Sequence, residues 1–520
     1  MDAKTSSKLG LKERYIYMTR GLAWDTTYQS KEAVYPYAEL EGIKIHDWDK
    51  WEDPFRLTMD AYWKYQAEKE RKLYAIMDAF SQSNGHLTVS DARYINTLKL
   101  FLNGVSPLEY MAHRGFAHAA RSLPGAGPRV ACMMQSLDEI RHSTTQIHAM
   151  SNYNKYYNGM HDWNHMHDRV WYLSVPKSFF EDAVSAGLFE FLVAIGFSFE
   201  YVLTNLLFVP FVSGAAYNGD MATMTFGFSA QSDEARHMTL GLELIKFILE
   251  QDPDNVPIVQ KWIDKWNWRG YRMLTLVAMM MDYMLPKRVM SWKEAWEVYY
   301  EENGGALFKD LARYGIRPPQ WIDQIEKEKD HLSHQAWAVF YNYSAASNFH
   351  AWTPSKEDMD WLASKYPDTF DQYYRPRYEM WAQMAKEGKR FQNGGLPQLC
   401  QVCQVPMLFT EVSKDDPMQI SYRSSEFNGE KFHTCSDGCK DIFDHEPEKY
   451  VHAWLPVHQI FQGNCGGAAI PDILNWYHFK PEDGGDYAGS ADETRWKAMH
   501  GETTGAASSD TESAEEKAAA

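Results

Sequence analysis

The chain has 520 residues, 45% hydrophobic and 15% aromatic, which is enough for an ordered protein with a large core and more than one domain. Its 52 basic and 70 acidic residues give a formal net charge of −18, which excludes nucleic-acid binding through a broad basic surface. Six cysteines and a charged N-terminus without an apolar stretch predict a cytoplasmic protein rather than a secreted, disulfide-bonded one.

Helical patterns dominate the first 350 residues. In chain order they predict helices over 56–83, 90–122, 128–155, 178–209, 220–250, 255–284, 292–302 and 319–345. Segments 90–122 and 128–155 form one antiparallel pair, and segments 178–209 and 220–250 form a second. The two pairs resemble the halves of a degenerate internal repeat.

The most apolar region, residues 183–217, is long enough to cross a membrane. It carries Glu190 and Glu200, however, and is followed by an ordinary amphipathic segment. A helix that is apolar on all sides is also typical of the centre of a bundle. We therefore predict a buried core helix and no membrane association.

The second helix of each pair contains the same phrase, Asp-Glu-x-Arg-His, at 138–142 and at 233–237. Glu and His three residues apart share one helix face, so both side chains can reach one metal ion. The two candidate ligand pairs are Glu139 with His142 and Glu234 with His237. The alternative is a pair of solvated helix faces with weak surface ion pairs.

The first helix of each pair supplies a further carboxylate at a matching offset. Glu109 precedes Glu139 by 30 residues, and Glu200 precedes Glu234 by 34. Glu200 has no cationic residue within ten positions, and burying a bare carboxylate costs several kcal/mol. It must therefore bind metal or, as the alternative, be buried as the neutral acid. Four carboxylates and two imidazoles suit iron or manganese.

The Asp and Arg residues of the repeated phrase have a supporting role. A ligating histidine usually donates its other N–H to a carboxylate. Asp138 and Asp233 are therefore predicted to orient the histidines, with Asp138 reaching the histidine of the opposite pair. Arg141 and Arg236 would neutralise these aspartates, although ordinary helix salt bridges are the alternative.

Four stretches of the chain resemble the large (alpha) subunit of the hydroxylase of bacterial multicomponent monooxygenases, and within that family phenol hydroxylase. They are LEYMAHRGFAHAARSLPG, SLDEIRHSTTQIHAMSNYNKY, FSFEYVLTNLLFVPF and FSAQSDEARHMTLGLELIKF, and the resemblance extends over about 15–480. It implies an α2β2γ2 assembly with beta and gamma subunits and a centre of two iron ions in each alpha subunit. All six ligands are matched: Glu109, Glu139, His142, Glu200, Glu234 and His237.

The same alignment with this family implies roles for residues around the metals. Thr204, one helical turn after Glu200, would donate a hydrogen bond or relay a proton on the oxygen-binding side. The alternative is a hydroxyl bonded to the carbonyl four residues earlier. Asn205 and Gln231 resemble pore residues. The register gives an apolar substrate pocket lined by Val105, Ala112, Phe179, Ile195, Phe199 and Phe208, each of which could equally be core packing.

Other di-iron proteins fit the sequence less well. Ferritins and rubrerythrins need far fewer residues, and acyl-carrier desaturases lack the cysteine region. Small subunits of ribonucleotide reductase carry a radical tyrosine one turn after the first histidine, where this chain has Gln146.

Cys400-x-x-Cys403 is followed about 30 residues later by His433, Cys435 and Cys439. Paired cysteines at this separation predict a closed structural zinc site with thiolate ligands. The ligands are Cys400, Cys403, Cys435 and Cys439, with His433 as a possible replacement for Cys435. A redox disulfide is the alternative. The stretch GEKFHTCSDGCKDIFDHEPEKY resembles a YHS-type module, and Asn428-Gly429 within 398–455 predicts a hairpin.

We therefore predict a mainly α fold, a ferritin-like di-iron helix bundle with extra helices and a small C-terminal zinc module. The predicted divisions are a ferritin-like di-iron domain (1–350), a helical connection (351–397), a YHS-like zinc module (398–455), a C-terminal extension (456–500) and a disordered tail (501–520).

The resemblance implies an enzyme that hydroxylates phenol or methylphenols to catechols with O₂ and NADH. Because the chain shows no flavin, nicotinamide or iron–sulfur motif, a separate NADH-dependent reductase with FAD and [2Fe–2S] is implied. The family also uses a small regulatory protein. The alternatives are a toluene, arene or alkene monooxygenase and, in a different class, a non-catalytic ferritin-like metal-binding protein.

Overall fold

The computed structural model describes residues 9–21, 27–30, 33, 41–157, 160, 171–343, 351–388, 399–406 and 423–453. The predicted extension (456–500) and tail (501–520) lie outside these residues. The helices are α1 Leu11–Ile16, α2 Met59–Gln82, α3 Ala92–Ser122, α4 Ala126–Tyr153, α5 Trp171–Val184, α6 Leu188–Tyr217, α7 Met221–Gln251, α8 Asn255–Met273, α9 Thr275–Met279, α10 Trp292–Trp296, α11 Asn303–Leu311, α12 Ile322–Glu328, α13 Leu332–Tyr343, α14 Lys356–Lys365, α15 Arg375–Lys386, α16 Asp437–His445 and α17 Pro447–Tyr450.

Helices α3 and α4 form the first predicted pair, and α6 and α7 form the second. Asp91 caps α3 by accepting a hydrogen bond from the Arg93 amide at 2.8 Å. Asp220 caps α7 in the same way, from the Thr223 amide at 3.0 Å. Such caps satisfy backbone N–H groups that the helix itself leaves unpaired. Both predicted pairs are present, and α2 packs across α4 and α7.

Several predicted helix bounds are wrong. The single helix over 178–209 is two, α5 and α6, because the chain leaves helical geometry at Gly187, whose ψ is 171°. The helix over 255–284 is interrupted at Leu274, and the one over 319–345 is interrupted between α12 and α13. The interruption at Leu274 has a weak signal in the sequence, because it lies within a mostly hydrophobic run, whereas the one between α12 and α13 lies in the charged stretch Lys329-Asp330-His331.

The middle of α6, Leu192–Leu203, is a π-helix, with one residue more per hydrogen-bonded turn than an α-helix. Every residue of this segment is buried except Tyr201, which is half-buried. Within the described residues, α6 alone is long and apolar enough to cross a membrane, and 83% of its most apolar window is buried inside the protein. The helix therefore packs in the core, as predicted.

The C-terminal module contains a β-hairpin followed by α16. Strand β1 (Arg423–Phe427) pairs antiparallel with β2 (Glu430–Thr434), with Phe427 opposite Glu430. The turn between them is Asn428-Gly429, with φ values of 51° and 80°. Two successive left-handed residues form the turn that matches the twist of a two-residue hairpin. The predicted hairpin is confirmed.

Candidate metal centre

Four buried helices bring the six predicted ligands to one place. Glu109 projects from α3, Glu139 and His142 from α4, Glu200 from the π segment of α6, and Glu234 and His237 from α7. Each residue is at most 8% exposed. Two overlapping sets of donor atoms lie close enough to hold a metal ion. They are Glu109, Glu139 and His142, and Glu139, Glu200 and His237.

Both histidines present Nδ1 to the carboxylates. His142 Nδ1 lies 3.5 Å from Glu109 Oε2 and 3.7 Å from Glu234 Oε1. His237 Nδ1 lies 3.4 Å from Glu139 Oε1 and 3.2 Å from Glu234 Oε2. Donors about 2.1 Å from a shared ion are about 3 Å apart in octahedral geometry, so small contractions around an ion would satisfy its coordination. Glu139 and Glu234 are close to both histidines, as bridging carboxylates would be.

The electrostatics of the cluster favour bound cations. Burial and the neighbouring carboxylates raise the pKa of Glu139 and of Glu200 well above the usual value, although nearby His237 opposes this for Glu139. Burial also acts to raise the pKa of Glu234, but the charges of His237 and His142 and hydrogen bonds with Glu200 and His237 together outweigh it and lower the pKa to about 2. Four carboxylates so close together cannot all ionise without compensation. Two divalent cations would balance their charge of −4, so the residues fit a two-metal site.

The aspartates of the repeated phrase hold the histidines of the opposite helix pair. Asp138 Oδ2 accepts from His237 Nε2 at 3.2 Å, and Asp233 Oδ2 accepts from His142 Nε2 at 3.2 Å. Hydrogen bonding at Nε2 leaves Nδ1 of each ring available to a metal. The structure therefore places Asp138 as predicted.

The arginines also contact these aspartates. Arg141 Nη1 donates to Asp138 Oδ1 at 2.9 Å and lies 3.5 Å from Asp233 Oδ2, and Arg236 is ion-paired with Asp138. Arg141 Nε also donates to Glu70 Oε1 at 2.7 Å. Both guanidinium groups thus neutralise aspartates within the bundle, as predicted.

Helix α2 contributes a polar face that the sequence analysis missed. Tyr62 Oη donates to Asp138 Oδ1 at 2.7 Å, and Lys69 is ion-paired with Asp233. Gln66 Nε2 donates to both aspartates, to Asp138 Oδ1 at 2.9 Å and to Asp233 Oδ1 at 2.8 Å. Their spacing along the helix was the available signal, since polar residues at i, i+4 and i+7 share one face.

Two glutamines that the sequence analysis did not assign contact the candidate ligands directly. Gln146 Nε2 donates to Glu109 Oε1 at 3.2 Å, and Gln135 Nε2 donates to Glu139 Oε1 at 3.1 Å. Gln135 lies one turn before Glu139 on α4, so its spacing was a usable signal. Gln146 was noted in the sequence as the residue in place of a radical tyrosine, and it bonds to a ligand instead.

An apolar cavity opens onto the carboxylates. It is lined by Glu109, Glu139, Glu200 and Glu234, and otherwise by aliphatic, aromatic and methionine side chains and one proline and one glycine. Few polar groups at one end of an otherwise apolar cavity is the usual form of a small-molecule site. The cavity is thus suited to a small apolar or aromatic molecule beside the metals.

The structure brings four of the six predicted pocket residues to the cavity, and a role of the six in substrate binding stays a prediction. Val105, Ala112, Phe199 and Phe208 line the cavity. Phe179 and Ile195 are fully buried but lie outside its lining. Phe179 instead packs edge-on against Trp266 of α8, with ring centroids 5.4 Å apart, and its neighbour Phe180 lines the cavity. Ile195 lies four residues before Phe199, the first residue of α6 that lines the cavity.

Thr204 is buried at the end of the π segment. Its hydroxyl donates to the Phe199 carbonyl oxygen at 3.2 Å, five residues earlier, rather than to the carbonyl four residues earlier. The wider π turn accounts for the shift of one residue. Asn205 and Gln231 are half-buried, and neither lines the cavity. The roles of these three residues stay predictions.

The four predicted cysteines form a second cluster. Their sulfur atoms lie within 4.8 Å of one another, with Cys403 and Cys435 3.5 Å apart and Cys435 and Cys439 3.7 Å apart. Zinc with about 2.3 Å bonds to four sulfurs in a tetrahedron places them about 3.8 Å apart. A disulfide requires about 2 Å. The sulfur positions therefore fit a bound zinc ion rather than a disulfide.

His433 takes a different position. Its Nδ1 shares a hydrogen bond with Ser424 Oγ at 2.9 Å across the hairpin, and the candidate ligand cluster contains four cysteines without it. Ser424 and His433 are paired in the sheet register, which brings the two side chains together, and the role of His433 as an alternative to Cys435 stays a prediction.

The helical arrangement and the two clusters define a helix-bundle protein with a candidate two-metal centre and a cysteine-rich C-terminal module. The model of the methane/phenol/alkene hydroxylase family matches residues 24–252, and the YHS domain model matches residues 412–454. The chain belongs to this family, as a phenol hydroxylase-type oxygenase component.

Similar proteins support this placement over almost the whole chain. The oxygenase component of phenol 2-monooxygenase from Pseudomonas sp. (strain CF600) is 64% identical over 97% of both chains. An alkene monooxygenase oxygenase component from Xanthobacter autotrophicus is 28% identical over 91% of this chain and 94% of its own. The crystal structure of xenon-pressurised phenol hydroxylase from Pseudomonas sp. OX1 matches with a TM-score of 0.87 and 67% identity, over 95% of this chain and 100% of that one.

Proposed function

We propose that the chain is the large oxygenase subunit of a monooxygenase that converts phenol and methylphenols to catechols. The observation that carries this proposal is the apolar cavity that ends on the four carboxylates. The high identity to a phenol 2-monooxygenase component supports phenol over toluene or alkenes as the substrate class. Membership of a hydroxylase family also disfavours a non-catalytic ferritin-like role.

The six clustered residues would hold two iron ions, whose redox chemistry supplies the activation of O₂ when they are bound. The protein's own residues prepare the site for this chemistry. Asp138 and Asp233 fix the ring orientation of the two histidines, and apolar walls exclude water.

The aromatic part of the cavity would hold the substrate ring beside the metals. Phe180, Phe199 and Phe208 line it, and Phe180 packs edge-on against Phe199 with centroids 5.1 Å apart. Edge-on contact is a favourable arrangement between aromatic rings, and the same contact would suit a bound phenol. To act as a proton relay, the Thr204 hydroxyl would have to leave the Phe199 carbonyl and turn toward the metals.

The remaining components would be separate proteins. The relatives are described as components or subunits of monooxygenase systems, which supports an assembly with other subunits. We propose beta and gamma subunits in an α2β2γ2 arrangement, a small regulatory protein, and an NADH-dependent reductase with FAD and [2Fe–2S]. Zinc in the cysteine cluster and a cytoplasmic location are part of the same proposal.

The experiment is single-turnover product analysis under ¹⁸O₂. The iron-loaded oxygenase is mixed with reduced reductase, regulatory protein and phenol, and the products are analysed by mass spectrometry. We expect catechol carrying one labelled oxygen atom. Parallel reactions with toluene and with an alkene test the alternatives, and preferential oxidation of either would replace phenol as the substrate class. If the iron-loaded protein forms no oxidised product from any of them, the proposal is wrong.

A further inference from the structure

Helix α8 lies between the cysteine cluster and the cavity. Its Trp268, Arg269 and Arg272 side chains are 0%, 1% and 0% exposed. Fully buried arginines are rare unless they are paired. The partners of these side chains show what the helix connects.

On one side, α8 donates hydrogen bonds to two of the four thiol groups. Trp268 Nε1 donates to Cys439 Sγ at 3.4 Å, and Arg272 Nη2 donates to Cys435 Sγ at 3.3 Å. Gly438 lies so close to the indole ring that a Cβ there would approach Trp268 to 2.6 Å. The cysteine cluster and α8 are therefore in direct contact.

A second set of contacts holds the same helix to the C-terminal module. Arg269 Nε donates to Asp182 Oδ2 at 3.0 Å, and Tyr450 of α17 donates to the same oxygen at 2.7 Å. One turn earlier, Lys265 donates to Glu446 Oε2 at 2.7 Å. The helix is thus held at successive turns, with the thiol contacts nearest its C-terminal end.

On the other side, the residues directly after Arg272 form a wall of the cavity. This wall comprises Met273, Leu274, Leu276, Val277 and Met280. Gly270 packs against Leu203, where a Cβ would come within 2.2 Å of the leucine side chain. That leucine ends the π segment that carries Glu200. A shift of α8 would therefore move the cavity wall and press on the metal-ligand helix.

We propose that the cysteine cluster, when it holds zinc, positions the wall of the substrate cavity through Trp268 and Arg272. Zinc keeps the sulfurs as thiolates at fixed spacing, and charged acceptors make stronger hydrogen bonds than neutral thiols. The indole and guanidinium donors are then fixed, and with them the residues that follow. The identity of the substrate rests on the proposed function, whereas the mechanical connection does not.

The test removes one N–H donor without removing metal or ring packing. Trp268→Phe loses the bond to Cys439, and Trp292→Phe is the matched control, since Trp292 is equally buried and packs on Trp296. Full-length protein is compared by hydrogen–deuterium exchange over 273–280 and by calorimetric titration with phenol. For Trp268→Phe, with zinc and iron retained, we expect severalfold faster exchange and a roughly three- to tenfold weaker Kd for phenol, the worth of one hydrogen bond. The control should match wild type.

Cys439→Ser, which removes a zinc ligand, should change both measurements in the same direction and by more. Unchanged exchange over 273–280 in a Trp268→Phe protein that keeps both metals would overturn the proposal, whether or not Cys439→Ser folds. If wild-type protein binds no phenol, the proposed function fails, and the exchange comparison still tests the positioning role.

Discussion

Each candidate metal-binding histidine is oriented by an aspartate from the other half of the repeat. His142 bonds to Asp233, and His237 bonds to Asp138. The sequence predicted these aspartates because they lie next to the ligands in the repeated phrase. It did not predict Gln66, which comes from a helix more than 70 residues away in the chain and carries no motif. The polar face that Gln66 shares with Tyr62 and Lys69 has a helical spacing, but the partners of that face depend on tertiary packing and leave no local pattern.

Gln66 is expected to support metal binding at the cluster. Its amide donates to both Asp138 and Asp233, at 2.9 and 2.8 Å. We expect Gln66→Leu to weaken metal binding by about 10- to 100-fold, the usual loss when a group that orients a ligand is removed. The measurement is the Co²⁺ affinity of the iron-free protein, obtained by titration and monitored by the visible spectrum of the bound ion.

The control for this prediction is Gln260→Leu. Gln260 is also buried and donates to an aspartate, Asp264, at 2.9 Å, but it lies on α8 away from the cluster. Both variants should lose similar thermal stability. Equal Co²⁺ affinity in the two variants would mean that Gln66 has only a structural role.

At the scale of elements, the π segment of α6 is the feature that the sequence could not predict. A run that is apolar on all sides has no periodicity from which the turn length could be read. The extra residue per turn moves the acceptor of the Thr204 hydroxyl from the fourth to the fifth preceding carbonyl.

Substitution of Thr204 tests whether its hydroxyl relays protons or only donates a hydrogen bond to the Phe199 carbonyl. We expect Thr204→Val to lower the catechol formed per NADH consumed, and Thr204→Ser, which keeps the hydroxyl, to preserve it. Loss of the bond to Phe199 should also cost about 1 kcal/mol of stability in the valine variant alone. If the valine variant keeps its full product yield, the hydroxyl serves only the backbone.

Next to α13, His331 gives the fold a defined pH dependence. Burial lowers its pKa to about 4, although the charge of Asp330 opposes this. The unfolded chain therefore binds a proton that the folded protein does not between pH 6.5 and pH 4. Stability is lost as the pH falls through this window, by roughly 3 kcal/mol.

The measurement is the thermal unfolding midpoint between pH 7 and pH 4. His331→Gln removes the titrating group and keeps a polar partner for Tyr374, which lies 2.8 Å from the ring. We expect a flatter pH dependence for this variant than for wild type. Identical slopes for His331→Gln and wild type would contradict the assignment.

At the scale of the whole molecule, the sequence predicted the two helix pairs, both metal-ligand clusters and the hairpin. These features have signals in residue spacing, within one helical turn or one hairpin for the ligand pairs and the turn, and at matching offsets of about 30 residues for the helix pairs and the two halves of the cysteine cluster. The docking of the cysteine module on α8 was not predicted. It depends on Trp268, Arg269 and Arg272, which in the sequence are ordinary residues of an amphipathic helix.

The most direct test of the two-cluster account is the metal content of the purified chain. Elemental analysis should find about two iron ions and about one zinc ion per chain. Glu200→Ala should lose iron and keep zinc. Glu190→Ala, on the same helix, should keep both, because Lys265 retains its bond to Glu446. Full iron content in Glu200→Ala, or a folded wild-type protein that takes up zinc but no iron, would contradict the account.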